Sequence, residues 1–111
     1  MALNGKYLQD AEALLDKGDY SQASEKLWGA AAQVVKAIAA TRRWRHSSHR
    51  DLREVVGRLY RESGDEELPR LFSVAESLHA NFYENYMSGD IVQLHAADIR
   101  KLVEKLEALV S

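Results

Sequence analysis

The stretch KGDYSQASEKLWGAAAQVVKAIAATR, residues 17–42, decides the fold. Gly18 suits the end of one helix, and Asp19 can cap the start of the next. Tyr20, Ala23, Leu27, Ala30, Ala31, Val34 and Ile38 recur at the spacing of a helix with one buried stripe. The pattern predicts a long helix from Tyr20 to about Arg42. The alanines of that stripe, with Gly29 beside them, leave little side-chain bulk, so a neighbouring helix can approach closely. Glycine inside a helix costs about 1 kcal/mol relative to alanine, which predicts a packing reason for Gly29.

Working outward, Leu8, Ala11, Leu14 and Leu15 form the stripe of a preceding helix. On the other side, Ser47 or Ser48 can cap a third helix carrying Leu52, Val55, Val56, Leu59 and Tyr60, which ends near Ser63, Gly64 and Asp65. Pro69 belongs in the first turn of a fourth helix, where its missing N–H is no loss. That helix should bury Leu71, Phe72, Ala75, Leu78, Phe82 and Tyr86 and stop at Ser88 and Gly89. Asp90 would cap a fifth, with Ile91, Leu94, Leu102, Val103, Leu106 and Leu109 turned inward. No useful alternation of period two occurs. The expectation is an all-α, antiparallel up-and-down bundle of about five helices, forming one domain over residues 1–111.

Composition excludes several classes. The chain has no cysteine, so disulfide frameworks and thiolate metal sites are impossible. Residues 1–6 hold no apolar run of leader length, and no segment reaches the length of a membrane span, so a cytoplasmic location is expected. Neither a histidine–glutamate metal helix nor a glycine-rich phosphate loop occurs, and no metal or cofactor is expected. Lys26, Lys36, Lys101 and Lys105 read as solvated faces.

Charge is unevenly placed. The net charge is −2, yet residues 41–61 carry seven arginines against Asp51 and Glu54, a local balance of +5 on a body of −7. The segment RRWRHSSHR, residues 42–50, is the main candidate site. Arg42, Arg43, Arg45 and Arg50 can grip phosphates, Ser47 and a helix N-terminus add donors, and Trp44 offers a face to a base. Alternatively, the arginines simply end a helix favourably and Trp44 folds onto the core. Arg43 and His49 are the candidate catalytic pair for cleaving RNA, the arginine steadying the phosphorane and the histidine moving a proton. Glu76, His79 and Tyr83, three and four residues apart on one helix face, are a second candidate pocket, with a boundary histidine as the alternative.

Two stretches carry a family resemblance. GDYSQASEKLWGAA, residues 18–31, followed by VKAIA, residues 35–39, resembles the opening of the archaeal PaREP family. LHANFYE, residues 78–84, resembles that family's later helix motif. The family is similar to the HEPN class of helical bundles, which implies a bundle that often dimerises and associates with nucleotides. Some HEPN proteins are ribonucleases with an arginine and a histidine separated by four to six residues at the start of a late helix. Arg43 and His49 match that spacing numerically, at the junction of helices two and three.

The leading expectation is an HEPN-like module binding RNA or a nucleotide through the basic loop. A metal-independent ribonuclease and a dimeric protein-interaction module are the alternatives. The homodimer would form through the alanine- and glycine-bearing helix face. The opening hairpin also looks like one tetratricopeptide unit, but nothing later repeats it.

Overall fold

A computed structural model describes residues 5–110; residues 1–4, most of the stretch read for a leader, and Ser111 lie outside the described residues. Five helices follow one another: α1 (Gly5–Asp16), α2 (Tyr20–Arg42), α3 (His49–Ser63), α4 (Glu67–Glu84) and α5 (Gly89–Glu107). Helix α2 is the central element. It packs on α1, α4 and α5, while α3 lies against α4 and the end of α2.

Asp19 caps α2 as expected, its Oδ1 accepting from the Gln22 N–H at 3.3 Å. Of the predicted α2 stripe, Ala23, Leu27, Ala30, Ala31, Val34 and Ile38 are buried, and Tyr20 is partly buried against the core. Gly29 has its packing reason. A methyl group there would lie 2.7 Å from Cε1 of Tyr7, so the α1 tyrosine occupies the space a side chain would take. The alanine and glycine face is therefore filled from within. Dimerisation through it, as read from the sequence, is corrected by this packing.

Helix α4 ends four residues earlier than the sequence suggests. Asn85 adopts a left-handed conformation with φ of 49°, and its N–H bonds back to Asn81 O at 2.8 Å. Fully buried Asn81 then directs the turn. Its Oδ1 accepts from the N–H groups of Tyr86 and Met87, each at 2.8 Å, while its Nδ2 donates to Ser24 Oγ on α2 at 2.9 Å. Tyr86 consequently lies on the surface, and Phe82 is only half-buried.

Helix α5 begins with Ser88 at the cap position, not Asp90. Asp90 instead accepts from the Ser88 hydroxyl and from the Ile91 N–H. The inward stripe is Val92, Ala96, Ile99, Leu102, Val103 and Leu106. Ile91 and Leu94 are exposed, since Leu94 stands about 140° round the helix from Ile99.

Two α5 lysines read as solvated are also engaged. Lys105 Nζ donates to Asp65 Oδ2 at 2.8 Å and lies 3.1 Å from Glu67 Oε1, and Lys101 reaches Glu67 at 2.6 Å. The Lys105 hydrogen bond holds the Asp65 carboxyl below its ordinary range, and Lys101 followed by Lys105 does the same for Glu67. A carboxyl whose pKa falls on folding adds stability above its unfolded pKa, and loses it as pH falls through the folded value. Lys105, raised mainly by Asp65, adds stability below its own range for as long as its partner carboxyls stay ionised. Thermal melting should thus be level through neutrality and drop below about pH 4. Lys105→Met should melt lower at pH 7 and converge on the unaltered protein in acid. Parallel curves at all pH values would remove this cluster from the explanation.

Candidate functional site: an arginine cleft and a two-histidine cluster

The α2–α3 junction is shaped by a left-handed residue. Arg43 has φ of 60°, and its N–H bonds to Ala40 O at 3.2 Å while the Trp44 N–H bonds to Ala39 O at 2.8 Å. This conformation costs an L-residue about 1–2 kcal/mol. Arg43→Gly should therefore raise stability by about 0.5–1 kcal/mol in urea unfolding, the relief being partly offset by glycine's freer unfolded chain. A loss of stability would mean that the arginine side chain itself holds the junction.

Beyond it lies a cleft of about 840 Å³. Arg43, Arg45, Arg50 and Arg58 line it, with Trp44, Val55 and the carboxylates of Asp51 and Glu54. Among the described residues, none of these four arginines has a carboxylate partner. Arg42 is different. It pairs with Glu62 at 2.5 Å, and its guanidinium carbon stands 5.0 Å from the Trp44 ring centroid. Arg58 approaches the same ring at 4.6 Å. Trp44 packs on the core, as the second reading of this residue expects, while its ring carries two guanidinium groups.

The expected donors at the start of α3 are already taken. Ser48 is the cap, and its Oγ accepts from the Asp51 N–H at 3.0 Å. Asp51 Oδ2 accepts in return from the Ser47 and Ser48 N–H groups and from the Ser47 hydroxyl, at 3.1 to 3.2 Å. Desolvation pushes the Asp51 carboxyl up, but these hydrogen bonds outweigh it and hold the group below its ordinary range. The chain supplies its own anion to this helix end. Ser47 and the α3 N-terminus are thus not free to grip phosphate, which leaves the arginines. His46 bonds only locally, its Nδ1 2.9 Å from Trp44 O.

His49 does not line the cleft that holds Arg43. It turns to the adjoining face, where its ring meets Trp28 at 4.9 Å and Phe72 at 6.5 Å, centroid to centroid. His79 from α4 stacks on the same tryptophan at 4.8 Å. The two imidazoles are 6.0 Å apart. Each holds a carboxylate from another helix: His49 Nε2 lies 2.7 Å from Glu76 Oε2, and His79 Nδ1 lies 2.9 Å from Glu25 Oε1. Arg53 Nε also donates to Glu76 Oε2. The expected Glu76, His79 and Tyr83 constellation is therefore half of a larger one. Tyr83 meets His79 edge-on at 5.5 Å and is otherwise exposed, while Glu76 and His79 bond outward to α3 and α2 rather than to each other. Trp28, Glu25 and Arg53 have no sequence signal that links them to these histidines. Among the described residues no group of three or more potential metal ligands converges.

Fold and site together define a small five-helix module with an arginine-lined cleft beside two histidine–carboxylate pairs. Among solved structures, a Sulfolobus solfataricus protein is similar, with a TM-score of 0.85 and 25% identity over 100% of this chain and 98% of that one. A family model described as the archaeal PaREP1/PaREP8 family matches residues 1–103, and the chain belongs to that family. No curated protein matches it. No helix among the described residues is long and apolar enough to cross a membrane.

Proposed function

We propose that this protein binds single-stranded RNA through the arginine cleft at the α2–α3 junction. One observation carries the reading: Arg43, Arg45, Arg50 and Arg58 surround one cleft without a carboxylate partner among the described residues. Guanidinium groups left unpaired around a concavity favour phosphates, which they grip with two parallel hydrogen bonds. Asp51 is held by Ser47 and Ser48, so its charge is partly answered within the loop. Trp44 adds an aromatic surface, and an incoming base can take the place of Arg58 on its ring. The HEPN-like resemblance points the same way, towards nucleotides.

The test is a fluorescence-anisotropy titration of labelled single-stranded RNA at several salt concentrations. Binding should weaken steeply with salt, with a logarithmic slope near −3 if all four arginines engage phosphates, from about −0.7 per contact. Absence of binding at low salt would contradict the reading.

A further inference from the structure

We propose that Glu54 makes the arginine cleft selective for guanine among the RNA bases, an inference that rests on the RNA-binding reading. Two carboxylates line the cleft, Asp51 and Glu54, and they are not equivalent. Asp51 Oδ2 is taken by the Ser47 hydroxyl and by the N–H groups of Ser47 and Ser48. Glu54 has no hydrogen bond and no ion pair among the described residues, so both of its oxygens are free. It stands uncommitted in a cleft that it shares with four arginines.

Position ties this carboxylate to the tryptophan. Arg50, Glu54 and Arg58 follow one another at intervals of four along α3, and all three line the cleft. Residues four apart on a helix are neighbours, with Cβ atoms about 5–6 Å from one another. Arg58 reaches the Trp44 ring, its guanidinium carbon 4.6 Å from the centroid. A base that takes the place of Arg58 on that ring therefore lies about one helical turn from the Glu54 carboxylate. Arginines flank that carboxylate on both sides.

The chemistry of this row selects among the bases. An ionised carboxylate only accepts hydrogen bonds, and its two oxygens suit two donors side by side. Of the four RNA bases, guanine alone presents such a pair, the N1–H and the N2 amino group of its Watson–Crick edge. Adenine and cytosine each set an amino group beside a ring nitrogen that is itself an acceptor. Uracil places its single N–H between two carbonyl oxygens. Each of these three turns at least one lone pair towards the carboxylate. The other edge of guanine carries O6 and N7, the two acceptors that an arginine fork grips. A free carboxylate set between arginines thus complements both edges of guanine and of no other base.

The experiment titrates the full chain, by fluorescence anisotropy, against labelled short oligouridines that carry one central guanine, adenine, cytosine or inosine, or uracil throughout. Guanine should tighten binding about tenfold over the other three natural bases, as expected for one bidentate base contact. Inosine, which lacks the N2 amino group, should lose most of that gain. Glu54→Ala removes an exposed side chain and a negative charge, so plain oligouridine should bind the variant somewhat more tightly. That binding also shows that the variant folds. The preference for guanine over uracil should disappear in it, a change that the loss of charge alone does not produce. Equal affinity of the unaltered protein for all the oligomers overturns this inference and leaves the RNA-binding reading intact. A guanine preference that survives in Glu54→Ala does the same. Failure to bind any of the oligomers at low salt overturns the reading, and with it the inference.

Discussion

Replacing Arg43, Arg45 and Arg50 together by alanine should lower affinity for single-stranded RNA by roughly two to three decades at about 50 mM salt. Each lost phosphate contact removes about 0.7 from the logarithmic salt slope, and three contacts extrapolated from about 1 M salt give that difference. The fold should survive. None of the three side chains is buried, and among the described residues none holds a carboxylate partner. Arg42→Ala is the control. Its guanidinium is engaged by Glu62 and Trp44, so its loss should change affinity much less than loss of a free cleft arginine. A triple variant that binds as well as the unaltered protein would take the cleft out of the account.

The second large effect is structural. Asn81→Leu keeps a side chain of similar size but removes the Ser24 contact and both acceptances from the Tyr86 and Met87 N–H groups. Each buried polar group left unpaired costs about 1–3 kcal/mol. Unfolding free energy should fall by about 3–4 kcal/mol, a large share of the 5–15 kcal/mol usual for a domain. Equilibrium denaturation measures this directly. A change below about 1 kcal/mol would mean that the turn after α4 satisfies its backbone in another way. Part of the family-like motif of residues 78–84 is thereby explained by structure, since Asn81 ties the end of α4 to α2.

Helical periodicity made most of this fold legible. The bounds of α2 and the core stripes of α2 and α3, apart from surface-exposed Tyr60, follow from residues three and four apart and from caps at Asp19 and Ser48. The end of α4 was harder to read because Asn85, Tyr86 and Met87 contain neither glycine nor proline. Asparagine's tolerance of the left-handed region was the available signal. Serine 48 followed three residues later by Asp51 also marks a capping box, and that pattern shows why the serines are not free for phosphate.

The site was legible only in its charge. Seven arginines in a short run are visible in any sequence. Which of them are unpaired is not, because Glu62 and Glu76 reach Arg42 and Arg53 from elsewhere in the bundle. The two-histidine cluster was hidden for the same reason. Trp28, His49 and His79 come from three helices, and only their packing brings the rings within 6.0 Å of one another or closer.

The most direct test of RNA binding at the cleft is a titration of nitrogen-15-labelled protein with a short single-stranded oligoribonucleotide, followed residue by residue by NMR. The arginine Nε–H signals of Arg43, Arg45, Arg50 and Arg58 and the Trp44 indole should shift together and saturate at one equivalent, while signals from the outer face of α5 stay in place. Shifts centred elsewhere on the bundle, with the cleft signals unmoved, would contradict the account.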